Sequence, residues 1–182
     1  MVTHSRGSDV ATSALREMVI AARAAGHDPR RVLKIDNLIL AAPDLDFSIV
    51  RQRLIAEHFG PAFGRISVYM NPTDSTLGLA QALMSGTRFG RLSYDDLPEN
   101  EREIFRNITN VDFIDVSGVA TRASHDYFRN NPRVMADIVM VLTASEPPDS
   151  ARRDLVHQQG NFWRIEPPPK PEGERRSRDD RE

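Results

Sequence analysis

The stretch Thr3-His4-Ser5-Arg6-Gly7 joins a short strand pattern to a long amphipathic pattern at the start of the chain. The strand is predicted at Met1–His4, and apolar residues at helical spacing across Val10–Ala22 predict the helix that follows. A serine in such a turn is held on a sharp bend that lifts its hydroxyl above the sheet. Small neighbours such as Gly7 let the strand and the helix approach closely, so Ser5 is a candidate nucleophile.

This turn has a simpler interpretation, which stays open at the level of the sequence. Ser5 or Ser8 could cap the helix as serine does in an ordinary strand-to-helix turn. Thr3 also stands where a glycine is more usual, and its larger side chain predicts a slightly looser bend.

Strand and helix patterns go on alternating as far as residue 144. Three more strands are predicted at Asn37–Ala42, Ile66–Asn71 and Val111–Ser117, with helical periodicity between them. Glu99–Asn107 is predicted as a further, more exposed helix before the last of these strands. Such alternation predicts an α/β fold, in which helices flank both faces of a parallel sheet.

The composition excludes several classes of protein. At 182 residues, with 40% hydrophobic and 27% charged side chains, the chain is long and apolar enough for one domain with a buried core. A net charge of −2 argues against nucleic-acid binding, and no apolar run approaches the length of a membrane span. The absence of cysteine excludes disulfides and thiolate sites. No signal or transit peptide pattern is visible, so a cytoplasmic location is the default expectation.

The last part of the chain differs in composition from the rest. Residues 145–182 hold half of the twelve prolines, and the stretch from 166 onward is densely charged without a large apolar side chain. We therefore expect a folded part over residues 1–144 and a largely disordered, Pro-rich tail over 145–182. Disorder is expected beyond about Ile165, with residues 166–182 mobile and dispensable, whereas Phe162-Trp163 could dock back on the domain.

Chemically active side chains follow the ends of the predicted strands. They are Ser5, Asp44, Asp74 and, just beyond the last strand, His125. The carboxyl ends of parallel strands share one edge of a sheet, and the order serine, acid, histidine is the one that hydrolases of this architecture use. Asp74 is the preferred acid and Asp44 is the alternative acid. Each aspartate could equally cap the helix that follows it, and His125 could be a solvated loop histidine.

Four stretches resemble the α/β-hydrolase superfamily, most closely a bacterial family of uncharacterised esterase/lipase-like hydrolases that is treated as a domain of unknown function. They are Thr3-His4-Ser5-Arg6-Gly7, Leu40–Asp46, Val68–Asp74, and Ile114–Gly118 with Ser124–Phe128. The resemblance runs from residue 2 to about 144. It implies Ser5 as nucleophile, Asp74 as acid and His125 as base of a catalytic triad.

The resemblance also implies a function and a limit to it. We expect a serine carboxylesterase or lipase-like enzyme for small-molecule esters, with the Arg6 backbone N–H in the oxyanion hole and no cofactor. Four strands precede the serine strand in the family fold, so we expect the carboxyl-terminal half of such a domain, weak or inactive alone, with an upstream half as a possible partner. The alternative is a non-catalytic remnant that acts as a binding module.

The remaining histidines are not assigned to the site. His27, His58 and His157 are isolated and show no metal-ligand spacing, so no metal is expected. His4 is expected to pack beside the serine turn without a catalytic role, and Asp115 to be structural or a neighbour of the site.

Overall fold

Six strands among the described residues form one sheet in the computed structural model, which describes residues 1–84, 86–95, 97–106, 108–120 and 125–168. They are β1 (Val2–His4), β2 (Asn37–Ala41), β3 (Arg65–Met70), β4 (Val111–Asp115), β5 (Leu155–Gln159) and β6 (Phe162–Ile165). Their order across the sheet is β1-β2-β3-β4-β6-β5. The β5–β6 pair is antiparallel and the other pairs are parallel, which confirms the predicted α/β fold.

Helices connect the parallel strands. They are α1 (Arg6–Ala24), α2 (Pro29–Leu33), α3 (Phe47–Arg51), α4 (Ser75–Leu83), α5 (Glu99–Arg106), α6 (Tyr127–Asn130) and α7 (Pro132–Ala144). A π-helical turn, Gln52–Ala56, continues α3, and Gly60–Ala62 and Phe89–Arg91 form 3₁₀ turns. Side chains of Asp28, Asp46, Asp74 and Asn131 accept hydrogen bonds from the first backbone N–H groups of the helices they precede.

The central strands are buried on both faces. In β2, Leu38 and Leu40 lie in one hydrophobic core and Ile39 lies in the other, as the two-residue period of a strand requires. The first core lies under α1 and the second lies under α6 and α7. Because both faces are covered, the carboxyl edge is where the loops after these strands present polar side chains. None of the described helices is long and apolar enough to cross a bilayer.

The sequence analysis places the start of the disordered tail too early in the chain. Residues 155–165 are ordered as β5 and β6, and β6 extends the parallel sheet beside β4. Phe162 is buried in the first core and Ile165 in the second. Averaging composition over 145–182 hid this short apolar strand among prolines and charges, so residue 144 is not the end of the folded part. Residues 169–182 lie outside the described residues, so their disorder stays a prediction.

A buried ion pair attaches this carboxyl-terminal segment to the domain. The Arg153 guanidinium donates two hydrogen bonds to the Asp137 carboxylate on α7, at 2.7 and 2.9 Å. Both side chains are almost fully buried. The Tyr69 hydroxyl on β3 donates a third bond to the same carboxylate, at 2.7 Å. Burial, reinforced by the negative charge of Asp137, raises the pKa of Tyr69 well above its usual value, so the hydroxyl stays protonated.

We expect Arg153→Met to destabilise the domain by about 3–5 kcal/mol, because it leaves a buried carboxylate without its cation. Arg152→Met is the matched control, since the Arg152 side chain is 63% exposed and pairs with Glu146 at the surface. That neighbouring change should cost less than about 1 kcal/mol. Urea unfolding of both variants measures the difference, and equal losses would contradict a special role for the buried pair.

Candidate active site

The serine turn is strained in the way that the sequence motif implies. Ser5 has φ 51° and ψ −130°, a combination that residues other than glycine rarely adopt. Its N–H donates to the Ala41 carbonyl at 3.1 Å, and its own carbonyl accepts from the N–H groups of Ser8 and Asp44. Three backbone hydrogen bonds therefore hold a conformation that costs about 1–3 kcal/mol.

The close approach of β1 and α1 is made by polar side chains. Thr3 Oγ1 lies 2.9 Å from Ser8 Oγ and donates to the Ile39 carbonyl at 3.2 Å, so the threonine is accommodated by hydrogen bonding. A Cβ atom added at Gly7 would meet nothing within 4 Å. The expectation that Gly7 permits the close approach is therefore wrong, because the contact is made by Ser8, the next residue along the chain. Ser5 occupies the N-cap position, yet its side chain makes no capping bond.

The structure brings Ser5, His125 and Asp74 together. Ser5 Oγ lies 2.8 Å from His125 Nε2, and His125 Nδ1 lies 2.8 Å from Asp74 Oδ2. The Asp74 side chain is 1% exposed and the His125 side chain is 17% exposed. The carboxylate is thus shielded from solvent while the imidazole keeps some access to it.

Asp74 uses its two oxygens for two different partners. Oδ1 accepts the N–H groups of Thr76 and Leu77, at 2.9 and 3.0 Å, and so caps α4. Oδ2 faces the imidazole of His125. The helix-capping and acid interpretations of this residue are therefore compatible, and the cap fixes the direction of the second oxygen.

The alternative acid has other partners. Asp44 pairs with Arg6 at 3.7 Å and with Arg88 at 3.6 Å, distances longer than a good hydrogen bond. Its backbone N–H supports the Ser5 carbonyl, while the contact to His125 Nδ1 is made by Asp74. Asp115 pairs with Arg164 on β6, at 3.0 Å.

The hydrogen-bond partners of the two ring nitrogens indicate the tautomer of the His125 imidazole. An ionised carboxylate only accepts hydrogen bonds, so His125 Nδ1 carries the proton that faces Asp74. Nε2 then holds a lone pair that accepts the Ser5 hydroxyl. This is the arrangement in which a histidine is ready to remove a proton from serine.

Tyr127 is a supporting residue that the sequence did not single out. Its hydroxyl donates to the Tyr69 carbonyl at 2.8 Å and accepts the Ala42 N–H at 3.0 Å. It thereby attaches the start of α6, two residues after His125, to the ends of β2 and β3. Burial, with a smaller contribution from the charge of Asp74, raises the pKa of Tyr127 well above its usual value, so this phenol stays neutral. The sequence signal that could have indicated Tyr127 is the presence of an aromatic residue two positions after the candidate histidine.

Residues 1–144 match the model of a family described as an alpha/beta hydrolase of unknown function (DUF900). The chain belongs to this family. The match confirms the resemblance seen in the sequence motifs and supports a hydrolase-type function. Strands β5 and β6 lie outside the matched residues, although they belong to the same sheet and form one side of it. No curated protein and no solved structure matches the chain significantly.

In this alpha/beta hydrolase, the start of α1 offers a donor beside the serine. Arg6 is the first residue of α1, and the N–H groups of a first helical turn have no acceptor within their own helix. The aligned peptide dipoles of this 19-residue helix add partial positive charge at the same end.

Among the described residues, no three acidic or histidine side chains lie close enough together to hold a metal ion.

Proposed function

We propose that this chain is a serine hydrolase that cleaves carboxylic esters with Ser5 as nucleophile, His125 as general base and Asp74 as the orienting acid. The observation that carries the proposal is the continuous hydrogen-bonded path from Ser5 Oγ through the imidazole to a buried carboxylate. The strained backbone at Ser5 supports it, since strain of this kind is common at functional sites.

In the first half-reaction, Ser5 Oγ attacks the ester carbonyl carbon while its proton moves to His125 Nε2. The carbonyl oxygen becomes an oxyanion, which in this proposal accepts a hydrogen bond from the Arg6 N–H at the start of α1. The imidazolium that forms is stabilised by Asp74, which does not take up a proton itself. Collapse of the intermediate breaks the bond to the alcohol oxygen, which leaves with the proton from Nε2.

In the second half-reaction, water replaces the alcohol. His125 Nε2 removes a proton from the water as it attacks the acyl-Ser5 carbonyl, and returns the proton to Oγ when the acid departs. The 17% exposure of the His125 side chain is consistent with access for this water. Preference for esters, including lipase-like substrates, is proposed from the resemblance of the serine turn and strand-end motifs to esterase-type hydrolases.

The direct test is turnover of a short p-nitrophenyl ester by the full chain. We expect slow hydrolysis that Ser5→Ala lowers by at least about 10³-fold, because triad members act as a unit. Ser75→Ala, which removes an exposed hydroxyl near the site, should leave the rate unchanged. Wild-type protein whose hydrolysis is unaffected by Ser5→Ala would contradict the proposal and favour a non-catalytic binding module.

The acid is tested by comparing Asp74→Asn with Asp44→Asn. An asparagine at position 74 can still cap α4, but its amide N–H₂ would donate to His125 Nδ1 and impose the wrong tautomer, so we expect kcat to fall by about 10⁴-fold. Asp44→Asn removes two long ion pairs, one of them to the buried Arg88, so its main cost is to stability, and kcat of the folded variant should fall less than about tenfold. A larger loss of kcat in Asp44→Asn would reverse the assignment.

A further inference from the structure

His4 touches the proposed base at two places. Its Nε2 lies 3.0 Å from the backbone carbonyl oxygen of His125, across 121 residues of sequence. The centroids of the two imidazole rings are 4.9 Å apart. The centroid of the Phe128 ring lies 4.5 Å from that of His4, and the two ring planes are tilted by 31°. His4 is also the residue immediately before the proposed nucleophile.

We propose that His4 is a positioning residue, which holds the His125 backbone through its Nε2–H so that the imidazole stays between Ser5 and Asp74. This inference rests on the proposed function. It assigns to His4 more than the packing role that the sequence suggested.

The need for such a contact follows from how the base is attached. Both ring nitrogens of His125 are already engaged, one with Ser5 and the other with Asp74. Those bonds orient the ring, but the Nε2 contact breaks and re-forms during each half-reaction. A hydrogen bond to the His125 carbonyl holds the backbone throughout the cycle, and it comes from His4, the last residue of β1. Ser5 directly follows His4, so the nucleophile and the backbone of the base are held at adjacent positions of the chain.

The direction of the hydrogen bond sets the tautomer of His4. A carbonyl oxygen only accepts, so Nε2 of His4 carries the proton and donates it. Burial lowers the pKa of His4 below its ordinary value of 6.5, and the positive charge of Arg129 acts in the same direction. The hydrogen bond to the His125 carbonyl and the charge of Asp126 oppose this shift without reversing it.

A neutral His4 suits the proposed reaction. His125 becomes positively charged in each half-reaction, and a second cation with its ring centroid 4.9 Å away would oppose that charge. The neutral ring supplies the N–H donor without this penalty. It also packs against Phe128, so an aromatic replacement fills the same space without the donor.

The test compares two variants of His4 in the ester assay. His4→Phe keeps an aromatic ring beside Phe128 and removes the N–H, so we expect kcat to fall about 10–100-fold with KM unchanged, because small displacements of a reacting group are costly. His4→Gln retains an N–H₂ at a similar reach and should recover kcat to within about threefold of wild type. His27→Phe, at an exposed histidine, is the matched control and should leave both constants unchanged.

A spectroscopic measurement separates positioning from folding. The Nδ1–H proton of His125, held by Asp74, should give a downfield resonance that broadens in His4→Phe and returns in His4→Gln. Equal losses in both variants, or unchanged kcat in His4→Phe, would overturn the inference. If His4→Phe does not fold, His4→Met replaces it as the variant without a donor. Wild-type protein without Ser5-dependent turnover would instead refute the proposed function.

Discussion

The buried carboxylate of Asp74 has a part both in the fold and in the proposed site. Removing a carboxylate from water is expensive unless hydrogen bonds replace the lost hydration. Here the Thr76 and Leu77 N–H groups supply two bonds to one oxygen, and the His125 imidazole lies against the other. The group that starts α4 is thus the group that orients the proposed base, so the orientation of the imidazole is built into a helix terminus.

The parallel sheet supplies the other half of the geometry. Ser5 follows β1, and the neighbouring β2 provides the Ala41 carbonyl that holds its strained backbone. The Asp44 N–H, from the turn after β2, holds the Ser5 carbonyl. A conformation that is unfavourable in isolation is stabilised by bonds that the pairing of β1 with β2 makes available. The Tyr127 hydroxyl then ties the helix after His125 to the ends of β2 and β3.

Much of this arrangement could be predicted from the sequence, because it depends on local patterns. Runs of apolar residues located β1 to β4 to within about two residues, and the strand ends indicated Ser5, Asp74 and His125 as candidates. Spacing favoured Asp74 but left Asp44 open. The observation that bears on the choice is the 2.8 Å contact between Asp74 Oδ2 and His125 Nδ1, which spans 51 residues and has no local sequence pattern.

Features that depend on distant contacts escaped the sequence analysis. β6 is a short strand in a proline-rich region, and it is stable because β4 and the buried Arg153–Asp137 pair lie beside it. Gly7 was given a steric role that the structure assigns to the Thr3–Ser8 contact. The hydrogen bond from His4 to His125 spans 121 residues, and no local pattern indicates it.

The central claim is that Ser5 is an activated nucleophile, and covalent labelling tests it most directly. A fluorophosphonate reacts when an activated serine oxygen attacks phosphorus and fluoride leaves, which forms a stable phosphonyl-serine. Mass spectrometry of the digested full chain should locate one adduct on Ser5, and replacing His125 with alanine should abolish it. Absence of labelling in the folded wild-type protein, or an adduct on another serine, would contradict the account.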